Sequence, residues 1–160
     1  MDHVLDNPIW NALISGNILF GEGEAFVKYF SKDIAPFAGL KKLDSTSLRI
    51  LYDLVTPDRE VVLITAKKIK IPAYWQINRQ MQLLQMVCNN PLQHGKLKEN
   101  IISLQKKHVP LMLALTKLAN PGPFAVRTIE FGNYSGILKS NNLIAMAGQR
   151  LHVNSFMEIS

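Results

Sequence analysis

The spacing of apolar residues in the first half of the chain predicts short helices and strands separated by turns. Asn7 and Pro8 are typical of a helix start, because Asn favours the cap and Pro the first helical position. The elements predicted in this half are, in order, a helix from Asn7 to Gly16, a strand over residues 25–30, a loop over 33–40, a helix from Asp44 and a strand over 60–65. This mixture favours an α/β class.

The second half is predicted to begin with helices and to end in strands. Pro110 separates two helices, because the residue before a proline disfavours helix while proline itself suits the first turn. The apolar phase slips at Gly132, which predicts a bulge in a strand. The predicted elements are a helix over 97–107, a helix from Pro110, a turn over 120–123, a strand over 126–138, a hairpin turn over 139–142, a strand over 143–148 buried on both faces and a third strand from Phe156. Between the halves, residues 74–87 fit helix or strand equally, and the boundary is placed within residues 89–96.

The composition is that of a globular domain. Of 160 residues, 48% are hydrophobic and 19% charged, which supplies a core for one domain or for two small halves that share one. The apolar runs are too short for a membrane helix and the acidic N-terminus does not fit a signal peptide, so a cytoplasmic protein is expected. The sulfur-containing residues predicted to pack in apolar surroundings are Cys88, Met81, Met86, Met112, Met146 and Met157.

The net charge of +6 suits polyanions in principle. The lysines are scattered rather than gathered on one stripe, which favours a solvated surface over a nucleic-acid or membrane site. The segment Gly21–Glu24 resembles a phosphate loop only in its glycines, since a strand follows it and its glutamates would repel an anion. The histidines show no metal-ligand spacing with one another or with Cys88, and no metal is expected; they are His3, His94, His108 and His152.

Glu158 is the candidate catalytic residue. It lies between Met157 and Ile159 on an apolar strand. A carboxylate there either faces solvent or is held in a polar cleft, where burial would raise its pKa and suit it to act as a base. Both alternatives stay open from the sequence, with Gln149 and Arg150 as its expected neighbours.

Several segments together resemble the GNAT superfamily of acyl-CoA-dependent N-acyltransferases. The resemblance is specific over Leu115 to Ser160 and weak before it. The segments that carry it are Leu115–Lys117, Pro121–Phe124, Arg127–Gly136, Leu143–Arg150 and Glu158–Ser160. Gln149 departs from the pattern, because a glutamate is expected before the arginine, so the resemblance implies no acid-base role for that position.

The resemblance implies an α/β (α+β) fold, a mixed sheet flanked by helices, with a diverged N-terminal half over residues 1–92 and the first part of a catalytic half over 93–160. In the family, two strands splay apart and hold acetyl-CoA between them. Residues 126–138 and 143–152 would form the hairpin before the first splayed strand, and Phe156 would begin that strand. The pyrophosphate loop would follow Ser160, so no cofactor-binding residue is assigned, and Glu158 would face the acceptor.

The leading hypothesis is therefore the N-terminal portion of a GNAT-type acetyltransferase, which moves an acetyl group from acetyl-CoA to a small-molecule or peptide amine and has little activity as this 160-residue chain. The alternative is a non-catalytic module that pairs with itself or another chain through an open sheet edge. A nucleic-acid binder is a third hypothesis, and only net charge supports it.

Overall fold

The computed structural model describes residues 3–90 and 99–159. The helices are α1 (Pro8–Leu13), α2 (Ser45–Leu54) and α3 (Val109–Ala119), with shorter 3-10 helices at Val4–Asp6, Ile18–Phe20, Lys106–His108 and Thr128–Phe131. The strands are β1 (Gly21–Gly23), β2 (Val27–Phe30), β3 (Ala38–Leu40), β4 (Ile101–Ser103), β5 (Ser135–Lys139), β6 (Asn142–Ala147), β7 (Gln149–Val153) and β8 (Phe156–Ile159). No helix within these two ranges is long and apolar enough to cross a membrane.

The strands form three antiparallel sheets. Their orders are β1-β2-β3, β4-β5-β6 and β7-β8. Ser140 and Asn141 both have positive φ, as a two-residue hairpin turn between β5 and β6 requires. Helices and sheets alternate along the chain, so the predicted α/β (α+β) class is confirmed.

The helix starts follow their sequence signals. Pro8 opens α1, while the side chain of Asn7 donates to the Leu40 carbonyl oxygen at 2.7 Å instead of capping the helix. Asp44 caps α2 by accepting a hydrogen bond from the Ser47 N–H at 2.8 Å, which satisfies an N–H group that lacks a partner within the helix. The helix from Pro110 is α3, which ends at a left-handed Asn120.

One apolar core joins elements from both halves of the chain. Its buried residues are Ile9, Ala12, Leu13, Phe30, Ile34, Ala35, Phe37, Leu104, Met112, Phe131, Tyr134, Leu143, Leu151 and Val153. Two buried polar side chains join the halves as well. The Thr128 hydroxyl donates to the Ile34 backbone carbonyl oxygen at 2.6 Å. The side-chain carbonyl oxygen of Asn17 accepts from the backbone N–H of His152 at 2.7 Å. The proposed boundary within residues 89–96 lies mostly on residues 91–98, which are outside the described ranges, and the division after residue 92 lies entirely there. Both stay predictions.

Two predictions in the first half are wrong in part. The loop over 33–40 contains β3, which pairs with β2 from Val27 opposite Leu40. The strand over 60–65 is reduced to a single parallel bridge between Phe37 and Val62. The Pro36 carbonyl oxygen accepts from the Val62 N–H at 2.8 Å, but Pro36 has no N–H and cannot extend the ladder toward residue 60.

In the second half, hydrogen-bond pairing between strands overrides the structure that the local sequence pattern predicts. Residues 101–103, predicted as part of a helix, form β4 because they pair with β5. The strand over 126–138 begins only at Ser135. The phase slip at Gly132 marks the end of a 3-10 helix rather than a bulge, and Gly132 there has a φ of 96°.

The segments 143–148 and 74–87 also differ from expectation. β6 is not buried on both faces: it is the last strand of its described sheet, and Ile144 is 51% exposed. The 143–152 strand divides at Gly148 into β6 and β7. Residues 74–87 form neither helix nor strand.

The predicted burial of the sulfur-containing residues is correct for some of them and wrong for others. Met112 is fully buried and Met146 packs against the core, as predicted. Cys88, Met81, Met86 and Met157 are exposed, so their predicted burial is wrong. Cys88, Met81 and Met86 lie in or beside the irregular segment, where no element packs over them.

Candidate functional site

Glu158 lies opposite a bulge in the β7-β8 hairpin. Gln149 pairs with Ile159 and His152 pairs with Met157, so Arg150 and Leu151 together face the single residue Glu158. An extra residue on one strand twists it locally and redirects a side chain. The bulge thus places Arg150 opposite Glu158, as expected from the sequence, whereas Gln149, the other expected neighbour, pairs with Ile159 and binds Asn133 through its side chain.

Partial burial raises the pKa of Glu158, and the positive charge of Arg150 lowers it to a smaller extent. The residue as a whole keeps an exposed surface. Its carboxyl is therefore only partly desolvated, which still penalises the charged form. Among the described residues the two side chains form no direct ion pair, although each lies within the field of the other.

Arg150 is held by packing. Its guanidinium carbon lies 6.0 Å from the centre of the Phe37 ring, in a cation–π contact. Its buried Nε atom has no hydrogen-bond partner in the part of the chain that the structure describes. A Cβ placed on Gly122 would lie 3.8 Å from Nη1, so the guanidinium lies beside the loop after α3.

Tyr134 forms the buried wall of the site. Its ring meets the Phe124 ring edge to face, with centroids 5.9 Å apart. Burial raises the pKa of Tyr134, Arg150 opposes this shift and Glu158 adds to it. The three titratable side chains Tyr134, Arg150 and Glu158 thus share one electrostatic environment, which we call the Tyr-Arg-Glu cluster.

An open groove of about 370 Å³ adjoins the cluster. Its lining residues come from α3 and the loop after it, and they are Leu113, Thr116, Lys117, Gly122 and Phe124. Phe124 also contacts Tyr134, and Gly122 lies beside Arg150. Phe124 and Gly122 therefore line the groove and also lie next to Tyr134 and Arg150, while Thr116 and Lys117 give the groove a polar side.

The remaining candidates have structural roles or lie elsewhere. Gln149 is buried, and its side-chain carbonyl oxygen accepts a hydrogen bond from the Asn133 amide at 3.0 Å, so it anchors β7. His3 and His108 accept hydrogen bonds from nearby backbone N–H groups. His94 lies outside the described ranges. Within residues 3–90 and 99–159 no group of three or more His, Cys, Asp or Glu side chains is placed to hold a metal ion.

Sequence reasoning identified Glu158 and Arg150 but missed the rest of the site. Tyr134 carries a local signal, because it directly precedes a strand and the hairpin. Phe37 carries none, since it is far from Arg150 in sequence and only the tertiary fold brings it there.

Comparison with known proteins gives a fold-level match over almost the whole chain. No protein-family model and no curated protein matches the sequence. A solved structure from Novosphingobium aromaticivorans DSM 12444, described as a candidate acetyltransferase from the GNAT family, matches with a TM-score of 0.82 and 25% sequence identity. The match covers 99% of this chain and 70% of that one.

Proposed function

The chain belongs to the GNAT superfamily by its fold, and we propose that it forms the acceptor side of an enzyme that transfers an acetyl group from acetyl-CoA to an amine. The observation that carries the proposal is the partly desolvated Glu158 carboxyl, which lies within the field of Arg150 on the strand opposite the bulge. A carboxylate with a raised pKa is a better base than a free one.

Glu158 would act as the general base. An acceptor amine is an ammonium ion near neutral pH and must lose a proton before it can attack. In the proposed step Glu158 takes that proton, the nitrogen forms a bond to the thioester carbonyl carbon, and the carbon–sulfur bond breaks. The second nitrogen proton ends on the sulfur of the departing CoA, so charge and atoms balance. Tyr134 supports the base by excluding water from one side of the carboxyl.

Acetyl-CoA would bind along β8. Among the described strands β8 pairs only with β7, so its other edge offers backbone N–H and C=O groups. An extended pantetheine arm can pair with such groups as a further strand would. No side chain is assigned to this contact. No cofactor-binding side chain is assigned within the 160 residues, so we expect this chain to bind acetyl-CoA weakly.

Two measurements test the proposal. Isothermal titration of the 160-residue chain with acetyl-CoA is expected to give weak binding, and micromolar binding would show that the cofactor site is misplaced. Acetyl transfer is then assayed with the protein as it occurs in the cell. Glu158→Gln should lower kcat/KM by about 10²-fold or more, the usual loss on removal of a general base. Glu24→Gln, a change at an exposed carboxylate, is the matched control and should have no effect. Equal activity of both variants would remove Glu158 from the mechanism.

An interaction module is the second candidate. Met157 and Ile159 on β8 are 57% and 69% exposed, and an exposed apolar strand edge invites pairing with another chain. Light scattering separates the two proposals, because a monomer at high concentration contradicts self-association through this edge. A cytoplasmic location stays a prediction.

A further inference from the structure

We infer that the acceptor is a free α-amino acid with an apolar side chain, whose carboxylate binds Arg150, whose ammonium group faces Glu158 and whose side chain lies in the groove beside Phe124. This inference rests on the proposed function and names its substrate class. It selects an amino acid over a peptide N-terminus, which carries no carboxylate next to its amine.

The charges of the site fit a zwitterion. Arg150 and Glu158 are close enough to influence each other, yet they form no direct ion pair with each other among the described residues. Each charge is therefore open to a ligand. An α-amino acid carries opposite charges on adjacent groups, and only one orientation places each next to its counterpart. The bulge places Arg150 and Leu151 opposite the single residue Glu158, so the two charged residues lie at the same level of neighbouring strands.

Arg150 is suited to bind a carboxylate. A guanidinium presents a planar fork of N–H groups that matches the two oxygens of a carboxylate, and its contact with Phe37 fixes the plane without using those groups. In the described part of the chain no hydrogen bond engages the Arg150 guanidinium, and its Nε atom is buried without a partner. Arginine nitrogen atoms left unpaired are costly unless a ligand or water supplies acceptors.

The groove supplies the place for an apolar side chain. Its volume of about 370 Å³ accommodates a leucine or phenylalanine side chain, which would contact Leu113 and Phe124, while Thr116 and Lys117 form the polar part of the lining. Gly122 belongs to the groove and also lies beside Nη1 of Arg150, so the carboxylate site and the groove share a wall. A side chain attached one carbon from the carboxylate can enter the groove from there.

The orientation also explains how the product would leave. Transfer converts the ammonium into a neutral amide, with its protons passed to Glu158 and to the CoA sulfur. The product keeps its contact with Arg150 but loses its charge attraction to Glu158, so it binds more weakly than the substrate. The site therefore binds the ammonium form of this nitrogen more tightly than the amide form.

Binding of three ligands tests the inference without any acetyl transfer. The ligands are L-phenylalanine, L-phenylalaninamide, which lacks the carboxylate, and 3-phenylpropanoate, which lacks the amine. Titration calorimetry on the 160-residue chain should show L-phenylalanine binding about tenfold or more tightly than either analogue, since each charged hydrogen bond contributes that much.

Substitutions test which residue recognises each charged group of the ligand. Arg150→Gln should abolish the preference for L-phenylalanine over its amide, and Glu158→Gln the preference over 3-phenylpropanoate. Arg150→Lys keeps the charge without the fork and should retain part of the preference, which distinguishes carboxylate binding from a loss of folding. Arg79→Gln, at an exposed arginine, is the control and should leave all three affinities unchanged. Equal binding of acid and amide, no measurable binding of any ligand, or an unchanged preference in Arg150→Gln overturns the inference.

Failure of the inference and failure of the proposed function give different results. Acetyl transfer by the cellular protein to amines that lack a carboxylate, with no preference for amino acids, would leave the proposed function standing and remove the amino-acid acceptor. Arg150-dependent binding of L-phenylalanine without acetyl transfer would leave the binding site standing and remove the enzyme.

Discussion

The ring of Tyr134 packs directly against the α-carbon of Gly148. A Cβ at position 148 would lie 2.3 Å from Cδ1 of Tyr134, far inside van der Waals contact. Gly148 separates β6 from β7, so the absence of a side chain allows the chain to pass the ring closely where it enters the strand that carries Arg150. The position of Tyr134 in the Tyr-Arg-Glu cluster therefore depends on a glycine.

Gly148→Ala should destabilise the protein by about 1–3 kcal/mol, because the new methyl group overlaps the ring and forces the backbone or Tyr134 to move. Urea unfolding measures the change in the free energy of unfolding. The same substitution in a Tyr134→Ala background should cost much less, since the overlapping ring is gone, and the double-mutant cycle isolates the contact. An equal cost in both backgrounds would place the strain elsewhere.

The hydroxyl of Thr128 connects two distant segments through two hydrogen bonds. It accepts from the Ala125 N–H at 2.7 Å and donates to the Ile34 carbonyl oxygen. Thr128→Val keeps the shape but leaves both backbone groups unpaired, and should cost about 2 kcal/mol. Thr128→Ser keeps the hydroxyl and loses only a methyl group, at about 0.8 kcal/mol. Thermal or urea unfolding that ranks the variants in the opposite order would contradict the role of the hydroxyl.

Asn17 holds β7 to the loop after α1. Its side-chain oxygen is the partner of the His152 backbone N–H, and the residue is 1% exposed. Asn17→Ala should cost about 1–3 kcal/mol, because it removes the acceptor for that N–H. Asn78→Ala removes an exposed hydrogen bond to Glu60 and is the control, with an expected cost below about 0.5 kcal/mol. Hydrogen exchange at His152 should accelerate only in the Asn17 variant.

The stability of the protein should depend on pH through Glu158. Its folded pKa lies above the value of the unfolded chain because of partial burial. The folded state then binds the proton more tightly, so Glu158 opposes folding more strongly as pH rises from the unfolded pKa through the folded one. The Glu158→Gln variant has an uncharged side chain at this position and should lack this dependence. Its free energy of unfolding should exceed that of the native chain by an amount that grows as pH rises between the unfolded and the folded pKa.

Urea unfolding of both proteins from about pH 4 to about pH 8 measures the difference, in which the other titrating groups cancel. Arg150→Met supplies a second check, because loss of the neighbouring positive charge should raise the pKa of Glu158 further in an NMR titration. A pH-independent difference between the native chain and Glu158→Gln would mean that the carboxyl is fully solvated.

Local signals predicted the starts of α1, α2 and α3, whereas the helix predicted over residues 97–107 is wrong at residues 101–103. Asn7 and Pro8, Asp44, and Pro110 each mark a helix start at or next to its observed position, because caps and proline act within one turn. Strands were predicted less well. Residues 101–103 and 60–65 have comparable apolar character, yet the first pairs with β5 and the second makes one bridge. A strand exists only if a partner has free donors and acceptors, and local pattern does not carry that information.

The sequence by itself determined the fold class, the starts of α1, α2 and α3, the turn between β5 and β6 and the candidacy of Glu158 with Arg150, because all of these depend on residues close together along the chain. Only the tertiary structure decided what surrounds them. Phe37, Gly122 and Tyr134 approach Arg150 from other elements, and the bulge that places Arg150 opposite Glu158 exists only in the paired hairpin. The pKa of Glu158 depends on those distant neighbours, because desolvation and charge act through space rather than along the chain.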